Sequence, residues 1–273
     1  MECSRSFNLC ATVSSSLKTS TLLSLAALLA LPSLLHAQST QSRTRFLRWA
    51  YQDAASLAHD FSQGSTPLYA LGAMAVLTPL SSLDQSIDYR IDTPGGPVGN
   101  FLDITNELGG PRVNLPVAGI FAVSLLTDDS RFQDAAFTSL QSLIYAGVIS
   151  YGIKYTVGRF RPYEQTGSHR FAPFSGNTSF PSGHTTAAFA VVTPWVLYYP
   201  HPVTYGLFAL STGTALSRIV REKHWATDVL AGGTLGVLTA YYLTRRHQNE
   251  NKRFTITPIL GAHSASVSIR VKL

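Results

Sequence analysis

The sequence predicts an all-α protein: a bundle of about six core helices, embedded in or lying against a membrane, with a short β-hairpin-like tail. Three observations predict it. Apolar stretches of helical length follow one another from residue 115 to residue 243. Hydrophobic residues make up 45% of the 273-residue chain and charged residues only 13%, whereas soluble domains carry about a quarter, so the surface has little to offer water. Alternation around a glycine-containing break appears beyond Arg246.

The elements follow in order. Residues 1–37 read as an export signal: Arg5 and Lys18 precede an apolar run from Thr21 to Leu35, and Ala37 stands before a plausible cut ahead of Gln38. An uncleaved anchor is the alternative. Cys3 and Cys10, the only cysteines, lie inside this segment, so a mature chain has neither disulfides nor thiol chemistry. Residues 38–66 mix Arg45, Phe46, Arg48, Trp49 and Tyr51 without a long apolar run, which suits an amphipathic helix on a membrane. A helical domain is expected over 67–246. It opens with Pro67–Leu83, apolar but broken by Pro79. Residues 84–115 carry turn formers such as Thr93-Pro94-Gly95-Gly96-Pro97 and Gly109-Gly110-Pro111, and read as a loop with room for one short helix.

Helices are then expected over Leu115–Leu126, Ala135–Ile153, Thr185–Tyr199, Val203–Val220 and Val229–Leu243. Most fall short of the ~20 residues that cross a bilayer, so buried helices of a soluble domain are the competing reading. In the tail, 247–273, Phe254–Leu260 and Val267–Val271 flank Gly261-Ala262-His263 and read as a hairpin. The net charge of +6 comes without a Lys/Arg run of nucleic-acid type, which points to anionic lipid or a phosphorylated substrate and away from nucleic acid.

Three short segments hold groups suited to phosphate. The first is Lys154-Tyr-Thr-Val-Gly-Arg-Phe-Arg161-Pro162, after one helix. The second is Pro181-Ser182-Gly183-His184, which opens another. The third is Ser217-Arg218-Ile-Val-Arg-Glu-Lys-His224-Trp-Ala-Thr-Asp228, between two more. Antiparallel packing of successive helices would bring all three to one end of the bundle. Lys154, Arg161 and Arg218 suit a phosphoryl group, since a guanidinium fork holds two oxygens at once. Ser182 and Gly183 lie at a helix start, where unpaired N–H groups face anions. His224 and Asp228, four apart, would share one helix face, so that the carboxylate fixes the imidazole tautomer. His184 can exchange a proton with a leaving oxygen and then with water. Arg159, Arg170, Arg221 and Lys223 are expected on a solvated loop face, with His169 and Tyr163 as loop residues. Each signal is weak alone; their joint order at helix ends carries the weight.

Together these segments resemble the signature of the type 2 phosphatidic acid phosphatase superfamily, which includes bacterial nonspecific acid phosphatases and vanadium haloperoxidases. That pattern is Lys, six residues, Arg-Pro; then Pro-Ser-Gly-His; then Ser-Arg, five residues, His, three residues, Asp. Every signature position is matched, and the likeness covers about residues 135–245. The resemblance implies a helical bundle and a two-step reaction needing no metal or organic cofactor. His224 would be the nucleophile, oriented by Asp228. His184 would be the acid and then the base, while Lys154, Arg161, Ser182, Gly183 and Arg218 bind the phosphoryl oxygens. The substrate expected is a lipid phosphomonoester or diphosphate, met at a membrane by an exported protein whose site faces the periplasmic or outer side. A soluble exported acid phosphatase of broad specificity, a vanadate-dependent haloperoxidase and a noncatalytic scaffold with a relic site are the competing readings.

Overall fold

In the computed structural model the described residues are 44–57, 59, 79–88, 94–250, 254–261 and 264–271. The export-signal segment lies outside them, as does most of Pro67–Leu83. The chain divides into two compact units, residues 1–46 and 47–273. In the first, residues 44–46 are described, and they are helical. In the second, residues 47–57 are helical. They are followed by α1 (Asp84–Asp88), α2 (Gly96–Glu107), α3 (Asn114–Ser124), α4 (Ser130–Val157), α5 (Gly183–Tyr198), α6 (Pro202–Val220) and α7 (Ala226–Glu250). Strands β1 (Phe254–Gly261) and β2 (Ser264–Val271) then pair antiparallel, from Phe254 opposite Val271 to Gly261 opposite Ser264.

Residues 94–115 are more helical than their turn formers suggest. Pro97 sits in the first turn of α2, where its missing N–H costs nothing. The proline therefore starts a three-turn helix instead of marking a loop. The flanking helices α4 and α7 outrun their apolar cores for a related reason: their ends are polar yet have partners. Asp129 caps α4 by accepting from the N–H groups of Arg131 (2.9 Å) and Phe132 (3.1 Å). Gly158 closes the other end in the left-handed conformation at φ +60°. A side chain there would also strike the carbonyl of Ala172.

Helix α5 is the hub; it packs against α7, α4 and α6, while α2 lies on α6 and α3 on α4. The closest contact is between α5 and α7, where Gly232 and Gly236 replace side chains with bare backbone. The residues buried in the bundle are mainly small or hydroxylic: Ala135, Ala136, Thr138, Ser139, Ser142, Ala146, Ala188, Ala190, Ser211 and Thr214. Most of their hydroxyls bond helix carbonyls, as Ser139 does to Val191 (2.7 Å) and Thr138 to Asp134 (2.6 Å). Large apolar side chains point outward instead, among them Ile144 and Val148 of α4, Leu216 of α6, and Leu230 and Leu238 of α7. Among the described residues, α4 is the helix long and apolar enough to cross a membrane by length and composition.

At one end of α4 and α7 the segment 47–57 is fixed by a buried polar cluster. Asp53 Oδ2 lies 2.8 Å from His247 Nε2 and accepts from the Gln141 amide (2.9 Å). His247 Nδ1 lies 2.8 Å from the Thr138 hydroxyl, and Trp49 stacks on the imidazole at 3.9 Å. The segment buries Trp49 and Asp53 and exposes Leu47 and Tyr51.

Candidate active site

The three phosphate-suited segments meet. Lys154, in the last turn of α4, donates from Nζ to the carbonyls of Thr178 (2.7 Å) and Pro181. Ser182, the residue before α5, donates its N–H to the carbonyl of Asp228 (2.9 Å). Its hydroxyl accepts from Thr185 (2.9 Å), which leaves its own proton available to an anion. The N–H groups of Gly183 and His184 belong to the first turn of α5, where no helix carbonyl precedes them. Arg161 donates to the Thr178 hydroxyl (3.1 Å), and Arg218 at the end of α6 donates to the Asn106 side chain (3.1 Å). Buried Arg218 Nε has no protein partner.

Electrostatics show that these cations share one space. His184 is lowered to about 4 by burial and by the charges of Arg218, Arg161 and Lys154, with Glu107 opposing them. Arg218 is lowered to about 10 by burial, then by Arg161 and Arg221. Cations held against their own repulsion, with donors to spare, form a site that an anion relieves.

His224 is buried, and the sequence expectation for its setting needs correcting. His224 and Asp228 do not share a helix. His224 lies in the loop after α6, and Asp228 is in the first turn of α7. The loop folds because its N–H groups turn back: those of Lys223 and His224 donate to the carbonyl of Arg218 (3.0 and 3.2 Å), and that of Trp225 to Asp228 Oδ2 (3.0 Å). His224 Nδ1 faces Asp228 Oδ2 at 3.7 Å, too long for a hydrogen bond. With Nδ1 turned to the carboxylate, Nε2 is the ring nitrogen that does not face Asp228. Burial lowers the imidazole to about 4, partly offset by Asp228, so the ring is neutral at pH 7.

Arg159 is the second correction. It is not on a solvated loop face; its side chain is 2% exposed. It bonds Asp228 Oδ1 (2.6 Å), Asp84 Oδ2 (2.7 Å), Thr227 Oγ1 (2.8 Å) and, from Nε and Nη2, the carbonyl of Ser168 (3.0 and 2.7 Å). The rings of Phe171 and Trp225 stand 5.5 Å from its guanidinium carbon. Ser179 adds a hydroxyl to Asp228 Oδ2 at 2.5 Å. Arg170 and Lys223 are exposed, as expected.

Sequence reasoning also missed Asp84, Asn106 and Gly109. Gly109 lets the turn after α2 lie directly on His184, since a Cβ there would sit 2.2 Å from the His184 carbonyl. An open groove of about 710 Å³ begins at Gly183 and His184 and runs along α4 past Leu140, Ile144 and Gly147. Its wall is mostly apolar.

The family described as the PAP2 superfamily matches residues 135–252. A lipid A 1-phosphatase of Porphyromonas gingivalis is 36% identical over 104 residues, covering 37% of this chain and 21% of that protein. One from Rhizobium johnstonii is 31% identical over 113 residues, covering 38% and 46%. The chain thus spans less than half the length of these two curated relatives. The crystal structure of a transmembrane PAP2-type phosphatidylglycerolphosphate phosphatase from Bacillus subtilis has the same fold, with a TM-score of 0.54 at 22% identity over 69% of this chain and 96% of that one.

Proposed function

We propose, from residues 135–252 belonging to the PAP2 superfamily, that this chain hydrolyses the phosphomonoester or diphosphate of a lipid at a membrane surface, through a phosphohistidine. The observation that carries the lipid half is the apolar groove continuous with His184: a phosphate held by the cations leaves its apolar tail facing that groove. The outward turn of large apolar side chains, with small and hydroxylic residues inside, supports a bundle solvated by lipid. The named relatives act on lipid A and phosphatidylglycerolphosphate, lipids of this class.

In the proposed reaction, Lys154, Arg161, Arg218, the Ser182 hydroxyl and the N–H groups of Gly183 and His184 hold the phosphoryl oxygens. Nε2 of His224 attacks phosphorus, the bond to the leaving oxygen breaks, and Asp228 stabilises the charge gained by the ring. His184 gives its proton to the leaving oxygen, then takes one from the water that cleaves the N–P bond. His184 is neutral in the empty site, where burial and the surrounding cations lower it. A phosphate among those cations cancels their field, so His184 gains its proton when substrate arrives.

Phosphate release by the purified chain tests this, with a long-chain lipid phosphate against a small water-soluble ester, each with and without chelator. We expect the lipid to be preferred, a chelator to leave the rate unchanged, and His224→Ala to lower it by about 10⁴-fold or more. Loss of activity with chelator contradicts the mechanism; preference for the small ester contradicts the lipid assignment.

A further inference from the structure

We propose that Asp84 and Arg159 are positioning residues of the phosphatase site: a buried Asp84–Arg159–Asp228 chain fixes the carboxylate that faces the nucleophile and trims its charge. The inference rests on the phosphatase reading above and adds Asp84, upstream of the three-part signature, and Arg159, at one of its unspecified positions.

The geometry is that of a chain with no slack. Arg159 places separate nitrogens on the two carboxylates, Nη1 on Asp228 and Nη2 on Asp84. Both carboxylates have side chains 0% exposed. Asp84 is anchored in turn by the N–H of Thr227 (3.0 Å) and its hydroxyl (2.5 Å), one residue from Asp228. Asp228 therefore cannot rotate toward His224 without breaking a buried ion pair, which accounts for the open 3.7 Å gap.

Charge decides what the chain does. Two carboxylates and one guanidinium leave a single negative charge in a closed space. His224 is neutral beside it in the resting site, and the ring becomes cationic as phosphorus is bound. The deficit is thus matched to the charge that develops. Without Arg159, two uncompensated carboxylates would hold a proton on His224 and silence it. Without Asp84, Arg159 would neutralise Asp228 and weaken its hold on the cationic ring. The other charged groups acting on His224 are Lys154 and Arg161. Those acting on Asp228 are Arg159 and His224, with Ser179 as a neutral donor. Asp228 also acts on Lys154.

The test is the pH dependence of kcat/KM for a water-soluble phosphomonoester, with full-length wild type, Asp84→Asn, Arg159→Met and the double variant. The acid limb reports the proton on free His224. We expect Arg159→Met to move that limb up and Asp84→Asn to move it down, each by about one pH unit. The double variant restores the net charge and should return the limb to its wild-type position. Arg159→Lys keeps the charge but loses the fork, and should lower kcat about 10-fold or more with the limb in place. Limbs that do not move, or that move the same way in both single variants, overturn the inference. If Arg159→Met fails to unfold cooperatively, Asp84→Asn and Arg159→Lys decide alone. A wild type that releases no phosphate sinks the phosphatase reading instead; an active wild type with unmoved variants sinks only this inference.

Discussion

Gly232→Ala is expected to damage both stability and activity, while its neighbour Gly233→Ala improves stability. On Gly232 a Cβ would lie 2.5 Å from the carbonyl oxygen of Ser182, 3.1 Å from Thr186 Oγ1 and 3.2 Å from the Ser182 nitrogen. Ordinary contact begins near 3.4 Å, so α5 and α7 must part by roughly 0.9 Å at that point, backbone against side chain. Overpacking of this kind costs about 1–3 kcal/mol. Alanine returns up to about 1 kcal/mol of helix propensity, which leaves a net loss of up to about 2 kcal/mol and a fall in Tm of up to about 8 °C. The same displacement moves Ser182 and the first turn of α5, where the phosphate donors and His184 sit. A misplacement near 1 Å lowers kcat by up to about 100-fold. On Gly233 a Cβ meets only the Phe189 ring at 3.5 Å and Thr185 at 3.6 Å, which is ordinary packing. There the propensity gain stands alone, and Tm should rise by about 2–4 °C with activity retained. Thermal unfolding and phosphate release on a soluble ester, run on both variants, measure the contrast. Shifts of the same sign in the two variants, or full activity in Gly232→Ala, would refute the reasoning.

The remaining predictions concern pH and substrate. His224 is lowered from its ordinary 6.5 to about 4 in the folded chain. The unfolded chain therefore binds more protons between those values, and stability should fall as pH drops from 6.5 to about 4, then level off; His184 acts with the same sign. Tm followed against pH should show this slope, and His224→Gln should remove the part due to His224 and leave that of His184. Gly147 lines the groove and has open space where a Cβ would go, so Gly147→Leu should raise KM for a long-chain lipid phosphate relative to a small ester by about 10-fold or more. Equal changes for both substrates would remove the groove from the lipid site.

Much of the bundle was legible because helix-length apolar stretches survive any packing. Their ends were not. Helix α4 begins five residues before its apolar core, since Gln133 and Asp134 are buried, and burial of a polar side chain follows from partners supplied by distant chain. The cradle residues were legible because phosphate chemistry concentrates donors at helix ends. Arg159 was not, since nothing local separates it from Arg161 or Arg170; only the position of Asp84, 75 residues upstream, gives it a buried role. The His224–Asp228 spacing suggested a shared helix face, but the loop between them folds on the carbonyl of Arg218 instead. Spacing of four fits a helix and also fits a turn that ends at one.

The partners of the buried charges bear on how divisible this protein is. The stretch that carries the family pattern, 135–252, holds Arg159, Arg218 and His247, yet their counterparts Asp84, Asn106 and Asp53 all lie upstream of it. Excised at those borders, the stretch would take the Asp84 carboxylate from Arg159, the Asn106 amide from Arg218 and the Asp53 carboxylate from His247, and removing one partner of a buried ion pair such as Asp84–Arg159 costs about 3–5 kcal/mol. The sequence family is therefore smaller than the module that folds, and transplanting this chemistry into another scaffold means carrying the upstream helices with it.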